Sequence, residues 1–275
     1  MKYHLGLIAA FLLYLFMGSV STASETYPPV EDEMKITILY DNYASVNNTK
    51  AEWGFACLIE GKEKTILFDT GGKPDVLQHN MNVLNIDQKK IDVIIISHEH
   101  WDHIQGLASV LENNNKVTVY LLSSFSDESV NKIKATGCDV ALNDKPLEIC
   151  GGVFTTGVLG TSIKEQSLIL TTSTGNVVVT GCAHPGIVNI IQRSKEILPG
   201  NIKLAMGGFH LRSYSAEQMA SIISDFEKLG VEKCGASHCT GDEQIKSFRE
   251  HYKENYIELG AGRILRFEGE KIISN

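Results

Sequence analysis

The segment of residues 91–103, IDVIIISHEHWDH, constrains the fold and the chemistry of this chain more than any other. Residues 93–97 begin as an apolar, β-branched run, which is typical of a strand buried on both faces. The run is followed by four side chains of the kind that bind metal ions, namely His98, His100, Asp102 and His103. Imidazoles two residues apart on an extended segment point the same way, whereas the adjacent Asp102 and His103 can diverge toward a second point. The spacing therefore predicts ligands for two neighbouring metal ions, and the ligand chemistry favours this over a polar loop that merely caps the next helix.

The H-x-H-x-D-H pattern after an apolar strand resembles the signature of the metallo-β-lactamase-fold hydrolases. Four further motifs extend the resemblance over residues 35–267, and they are TILFDTGG at 65–72, GCAHPG at 181–186, GGFHL at 207–211 and SHCTG at 237–241. The last three are similar to a subgroup, the 7,8-dihydropterin-6-methyl-4-(β-D-ribofuranosyl)aminobenzene-5'-phosphate synthase-like proteins. The family resemblance implies an α/β (α+β) chain folded as a four-layer αββα sandwich.

The same resemblance implies which residues hold metal. One ion would be bound by His98, His100 and His184, and the other by Asp102, His103 and His238. Nitrogen and oxygen ligands suit zinc, and iron and manganese are the alternatives. Asp69, in the TILFDTGG motif, is expected to brace the metal loop from behind the ligands.

Cys182 departs from the family pattern. Common members have a bridging Asp after a Thr-Gly pair, whereas this chain has Thr180, Gly181 and then Cys182. Either Cys182 is a ligand or near-ligand, or bridging is left to hydroxide alone, so the sequence leaves open whether one or two ions bind. A buried free thiol is the other interpretation of Cys182.

His210 is an additional histidine that the family ligand set does not include. Because Gly207 and Gly208 would let the backbone approach a ligand closely, we expect His210 to bind substrate or donate a proton. A structural imidazole is the alternative. Asn42 and Tyr43, after the first predicted strand, either line the pocket or form a plain turn.

Periodicity and turn residues predict the order of the elements. Strands are predicted at 35–40, 54–60, 65–69, 117–122, 153–158, 167–172, 176–180, 203–206 and 231–236, and helices at 73–84, 106–112, 126–135, 186–198 and 215–229. Most candidate ligands follow a strand directly, which is where α/β proteins tend to have their sites.

The amino terminus has the features of a signal peptide over residues 1–23, with Lys2, an apolar run at 5–20 and a Ser-Thr-Ala cleavage site. Residues 24–34 are expected to follow as a linker, and the resemblance implies a metallo-β-lactamase-like domain over residues 35–275. We expect a secreted or otherwise extracytoplasmic protein. The alternative is a protein anchored to the membrane by an uncleaved amino-terminal segment.

Composition limits the partners. The net charge of −8 and the pI near 5.6 provide no broad basic surface, so we expect a small-molecule substrate and no nucleic acid. Six cysteines in an exported protein could form disulfides, and Cys138 with Cys150 is the first pair to test. Cys234 and Cys239 flank His238. The sequence leaves open whether they form a disulfide, join the metal site or do neither.

These features together predict a metal-dependent hydrolase. Bound zinc would lower the pKa of water, and the metal-bound hydroxide would attack a small ester, which the resemblance favours as phosphate-bearing. Asp102 would orient the hydroxide as well as bind metal, and His210 would stabilise or protonate the leaving oxygen. One alternative is a transferase or synthase of the pterin-precursor type named for the subgroup, against which export argues. Another is a secreted metal-binding protein without turnover, which the substituted bridging position would suit.

Overall fold

The computed structural model describes residues 34–275. Its strands are β1 (Lys35–Tyr40), β2 (Ala56–Glu60), β3 (Ile66–Phe68), β4 (Val93–Ile95), β5 (Thr118–Leu121), β6 (Asp139–Leu142), β7 (Leu147–Cys150), β8 (Val153–Thr155), β9 (Leu168–Thr172), β10 (Gly175–Thr180), β11 (Ile202–Gly208), β12 (Cys234–Ser237), β13 (Ile264–Glu268) and β14 (Lys271–Ser274). The predicted signal peptide and residues 24–33 of the predicted linker lie outside the described residues.

The strands form two sheets. The first has the order β14-β13-β1-β2-β3-β4-β5-β6, and the second has the order β12-β11-β10-β9-β8-β7. Strands β3 to β6 run parallel in the first sheet, and β10 to β12 run parallel in the second. In each sheet the parallel strands therefore end at a common edge, from which their following loops emerge.

Helices cover the outer face of each sheet. They are α1 (Pro74–Val83), α2 (Trp101–Ile104), α3 (Leu107–Asn113), α4 (Asp127–Lys134), α5 (Ile187–Ile197), α6 (Ala216–Leu229) and α7 (Asp242–Tyr252). Residues of α1, α3 and α4 pack on the eight-stranded sheet, and residues of α5, α6 and α7 pack on the six-stranded sheet. The predicted four-layer αββα sandwich is confirmed.

The alternation of side chains in β10 explains the layers. Val177 and Val179 face the core between the sheets, whereas Val178 faces the outer helices. Because successive side chains of a strand point to opposite faces, an all-valine run is buried on both sides. Burial of each such side chain contributes about 1.5–3 kcal/mol to the stability of the fold. The strand that leads to the following loop is therefore held firmly in place. Within the described residues, no helix has both the length and the apolar composition to cross a bilayer.

Several elements were not predicted from the sequence. β6 and β14 are the outermost strands of the eight-stranded sheet, and their residues are largely exposed or half-buried. Such edge strands lack the buried apolar alternation on which the prediction of strands depends. β7, β13, α2 and α7 were also missed.

The disulfide considered first, between Cys138 and Cys150, is not formed. All six cysteines are buried free thiols in the part of the chain that the structure describes. Cys138 packs among the helices outside the eight-stranded sheet, and Cys150 packs in the core between the two sheets. The two thiols thus lie on opposite faces of a sheet. The disulfide considered for Cys234 and Cys239 is not formed either.

Candidate metal centre

The structure brings the six predicted histidine and aspartate ligands together at the ends of strands. The loop after β4 leads into α2 and carries four of them, while the loops after β10 and β12 carry one each. The side chains form two clusters, and the rings of His98 and His103, one from each cluster, have centroids 4.3 Å apart. This separation is suited to two adjoining metal sites.

The first cluster consists of His98, His100 and His184. The ring centroid of His98 lies 4.5 Å from that of His100, and the centroid of His184 lies 4.8 Å from each of the other two. The Nε2 atoms of His98 and His184 are buried and have no hydrogen-bond partner. Leaving a buried polar atom without a partner costs about 1–3 kcal/mol, a cost that coordination to a cation removes. The residues of this cluster therefore fit a metal ion.

The second cluster consists of Asp102, His103, Cys182 and His238. Oδ2 of Asp102 lies 3.4 Å from Nε2 of His238 and 3.6 Å from Nε2 of His103. Sγ of Cys182 lies 3.2 Å from Nε2 of His103 and 3.4 Å from Nε2 of His238. Neighbouring ligands of a tetrahedral zinc ion are about 3.3–3.8 Å apart, so the four atoms fit such an ion and the thiol faces it.

Asp69 orients one imidazole in each cluster. Its buried Oδ2 accepts hydrogen bonds from Nδ1 of His103 and from Oγ of Ser97, both at 2.7 Å. The Ser97 hydroxyl in turn accepts a hydrogen bond from Nδ1 of His98 at 2.9 Å. Both imidazoles thus have Nδ1 engaged, and their Nε2 atoms face the clusters. Asp69 thus lies behind the candidate ligands and contacts His103 directly and His98 through Ser97.

The protonation states of the histidines differ between the clusters. Burial, reinforced by neighbouring imidazoles, holds the pKa of His98 far below its usual range and lowers the pKa of His184 to about 3. These two rings are therefore neutral and available as ligands. Burial also lowers the pKa of His103, but the Asp69 carboxylate outweighs it and raises that pKa to about 9. A cation that binds His103 therefore displaces a proton.

Asn42 and Trp53 hold the second cluster from the opposite side. Oδ1 of Asn42 accepts a hydrogen bond from Nδ1 of His238 at 2.9 Å, and its Nδ2 donates to the His238 carbonyl oxygen at 3.0 Å. The indole N–H of Trp53 donates to Oδ2 of Asp102 at 2.9 Å. Asn42 thus supports a ligand as well as lining the pocket. The sequence analysis missed Trp53, because a single loop tryptophan has no diagnostic spacing.

Glu165 was also missed, although it shapes the loop after β10. Its buried carboxylate accepts hydrogen bonds from the backbone N–H groups of Cys182, Ala183 and His184, at 2.8–2.9 Å. Burial raises the pKa of Glu165 to about 7 despite these bonds. The carboxylate fixes the direction in which Cys182 and His184 leave the backbone. No sequence signal identifies it, because the loop lies 17 residues further along the chain.

Four positions around the clusters have left-handed backbone without being glycine. The φ angles are 57° at Asp69, 60° at Ala183, 53° at His210 and 50° at His238. Such a conformation costs about 1–3 kcal/mol at a residue with a side chain, and it persists only where the surroundings enforce it. The concentration of these residues at the strand ends is typical of a functional site.

His210 lies exposed at the rim of the first cluster, with its ring centroid 4.3 Å from that of His184. The two glycines before it lie where a side chain would not fit. A Cβ at Gly207 would lie 2.2 Å from the Thr180 carbonyl oxygen, and a Cβ at Gly208 would clash similarly with backbone. The two glycines therefore allow β11 to approach the end of β10 closely.

A pocket of about 210 Å³ opens beside the second cluster, and its lining includes Asn42, Tyr43, Trp53, Arg212, His238 and Asp242. The guanidinium of Arg212 lies 5.7 Å from the centroid of the Trp53 ring. The Tyr43 hydroxyl donates to Asp242 at 2.5 Å, and both residues also line a larger cavity of about 420 Å³. A small molecule in the pocket would thus meet Arg212 and the second cluster together.

Comparison with known proteins identifies the family. The sequence model of the Metallo-beta-lactamase superfamily matches residues 54–190. The 7,8-dihydropterin-6-methyl-4-(beta-D-ribofuranosyl)-aminobenzene-5'-phosphate synthase of Methanocaldococcus jannaschii is 32% identical in an alignment of 286 positions, gaps included, that covers 86% of this chain and 97% of that protein. The chain belongs to the metallo-β-lactamase superfamily.

Solved structures of metallo-β-lactamase-fold proteins agree with this assignment. Tm1679, described as a metal-dependent hydrolase of the beta-lactamase superfamily, has a TM-score of 0.73 and 29% identity over 86% of this chain and 99% of its own. YhfI from Bacillus subtilis has a TM-score of 0.64 and 17% identity over 85% of this chain and 99% of its own, and it supports the fold alone. One relative is thus named as a synthase and another as a hydrolase.

Proposed function

We propose that this metallo-β-lactamase-superfamily protein is a metal-dependent hydrolase of a small ester, with phosphate-bearing esters as the first class to test. The observation that carries the proposal is the pair of buried, unpartnered Nε2 atoms on His98 and His184, beside a second cluster of ligand atoms. Zinc is the favoured ion, and iron and manganese are alternatives. Neither the pocket nor the acidic composition favours nucleic acid as a partner.

The metal ligands in this proposal are His98, His100 and His184 for one ion, and Asp102, His103 and His238, with Cys182, for the other. A bound divalent ion supplies Lewis-acid polarisation of the substrate carbonyl or phosphoryl oxygen and activates water at neutral pH.

The protein side chains position the reacting groups. Trp53 donates a hydrogen bond to Oδ2 of Asp102 and so holds the carboxylate, which would orient the water that a bound ion activates. Arg212, in the pocket, provides a positive charge for an anionic group of the substrate. His210 lies exposed next to His184, where its imidazole protonates or stabilises the leaving oxygen.

Hydrolysis of a substrate panel tests the proposal. The protein is treated with a chelator, reloaded with zinc and assayed on carboxylic esters, phosphomonoesters and phosphodiesters. We expect turnover that requires zinc and that is lost in His103→Ala. His79→Ala is the matched control, because His79 lies in α1 and contacts the Asn48 carbonyl oxygen, away from the clusters. Folded, zinc-loaded protein without turnover on any class would contradict the proposal.

A synthase is the second candidate, and the 32% identity to the M. jannaschii enzyme favours it. It predicts formation of the product in that enzyme's name, with no hydrolysis of simple esters. A metal-binding protein without turnover predicts bound zinc and neither reaction. We also propose an extracytoplasmic location, which the sequence of residues 1–23 supports and which argues against biosynthesis.

A further inference from the structure

A third cluster of ligand atoms adjoins the two that the hydrolase requires. Sγ of Cys182, an imidazole nitrogen of His210 and Sγ of Cys239 all lie within 4.8 Å of one another. His210 is exposed, whereas both thiols are buried. The proposed hydrolytic centre uses neither Cys239 nor the metal-binding capacity of His210, so this cluster needs an explanation of its own.

The backbone of three separate loops converges on this cluster. Ala183 follows Cys182, His238 precedes Cys239, and both have a left-handed backbone, as does His210 itself, with φ angles of 50–60°. Because of these turns, the side chains of Cys182, His210 and Cys239 point in different directions from those of their neighbours in the sequence. His238 and Cys239, although adjacent in sequence, consequently belong to different clusters.

Gly208 makes room for the thiol of Cys239. A Cβ at Gly208 would lie 2.8 Å from Sγ of Cys239, which is too close for any side chain. The same thiol lies 3.5 Å from the carbonyl oxygen of Cys182, so it is held over the loop that carries the other sulfur. Gly208 therefore leaves the space that the Cys239 thiol occupies, beside the loop of Cys182.

The donor set favours a different kind of ion from a histidine and aspartate set. Two sulfurs and one imidazole suit zinc, cadmium and copper(I), since soft thiolate ligands select such ions. In a tetrahedral zinc site the sulfurs would be about 3.8 Å apart, so only small side-chain rotations are needed to close the cluster around an ion. Three protein ligands would leave the fourth coordination position of a tetrahedral ion open. Because His210 is exposed, that position would face solvent.

We propose that Cys182, His210 and Cys239 form a third metal site, specific for thiophilic ions, and that its occupancy inhibits the enzyme. An ion bound there would occupy the lone pair of the His210 imidazole. His210 could then no longer give a proton to the leaving oxygen of the substrate. Cys182 is the shared residue, because its sulfur also faces the second cluster. Binding at this site is independent of turnover, whereas the inhibition rests on the proposed hydrolase function.

Cadmium binding tests the site without any substrate. Zinc-loaded protein is titrated with cadmium, and the ultraviolet charge-transfer absorption between thiolate and cadmium is recorded together with the bound metal. We expect wild-type protein to bind a further equivalent with new absorption. Cys239→Ser should weaken this binding by at least about 100-fold, because it removes one of three ligands. Cys234→Ser is the matched control, because that buried thiol packs among the outer helices.

His210→Ala provides a second variant if Cys239→Ser does not fold, because His210 is exposed. It should also weaken binding of the additional cadmium ion. Absence of new absorption in folded wild-type protein, or absorption that persists unchanged in both variants, would overturn the assignment.

Zinc inhibition tests the second half of the proposal. On a substrate that the enzyme hydrolyses, zinc beyond two equivalents should lower the rate of the wild type and of Cys234→Ser at least tenfold more than that of Cys239→Ser. Equal inhibition of all three proteins would refute the inhibitory role. Absence of turnover on every substrate would count against the hydrolase function, while the cadmium titration would still decide the site.

Discussion

Replacement of Asp69 by asparagine should weaken metal binding at both clusters. The Asp69 carboxylate accepts three hydrogen bonds, from the Ser97 backbone N–H, the Ser97 hydroxyl and Nδ1 of His103, each at 2.7 Å. Asp69→Asn replaces one of the two carboxylate oxygens by an NH₂ group. At the Oδ2 position this group faces the Ser97 hydroxyl and Nδ1 of His103, and at the Oδ1 position it faces the Ser97 backbone N–H. In either orientation a donor meets a donor and the negative charge beside His103 is lost, so the contacts that orient the rings of His98 and His103 are weakened.

The magnitude follows from the number of imidazoles affected. Loss of an outer partner of a metal-binding histidine typically costs 10–100-fold in metal affinity, which is about 1.4–2.8 kcal/mol. Because Asp69 orients His103 directly and His98 through Ser97, each of the two ions should lose affinity by about this factor. Ser97→Ala breaks the link to His98 alone, so it should weaken only the first ion.

Competition with a chromophoric chelator measures these affinities. Asp92→Asn is the matched control, because Asp92 accepts a hydrogen bond from the Thr65 backbone N–H at 2.9 Å on the surface, remote from the clusters. The control should bind both ions as the wild type does. If folded Asp69→Asn binds both ions within twofold of the wild type, the proposed orienting role of Asp69 is refuted.

Three further predictions concern Gly181, His210 and the amino terminus. Gly181→Ala would place a Cβ 2.2 Å from Oγ of Ser97 and 2.9 Å from Oδ2 of Asp69. Denaturation should therefore show a free energy of unfolding lower by about 1–3 kcal/mol, and elemental analysis should show a loss of metal. An unchanged stability and metal content would contradict this geometry. His210→Ala should keep the metal of the two main clusters and lower kcat by about 10²- to 10⁴-fold, whereas His103→Ala should lose metal and activity together; a loss of that metal in His210→Ala would exclude the acid role. Intact-mass measurement of native material should find a chain that begins at Ser24 outside the cytoplasm, and a full-length chain in the cytosol would refute export.

The sequence was sufficient to predict the strands that lead to the candidate ligands. The apolar run that ends at Ser97 predicted a buried strand, and β4 lies there with the ligands of α2 directly after it. A local apolar run followed by polar ligands is visible in sequence because both the burial and the chemistry lie within a few residues of one another. The same holds for the loops after β10 and β12.

The supporting contacts were hidden because they join residues far apart in the chain. Asn42 contacts His238 from 196 residues away, and Trp53 contacts Asp102 from 49 residues away. Glu165 carries no motif, and its role depends on burial that only the packed sheets create. The sequence could not decide whether Cys138 and Cys150 form a disulfide for the same reason, since the sheet that separates the two thiols is a tertiary feature.

Metal content tests the central proposal most directly. Elemental analysis of folded protein, purified without added metal, should give between one and two equivalents of zinc, iron and manganese combined per chain. A double variant, His98→Ala with His184→Ala, should lose the ion of the first cluster, because these residues carry the unpartnered Nε2 atoms. Less than half an equivalent in folded wild-type protein would contradict the assignment of a metal centre.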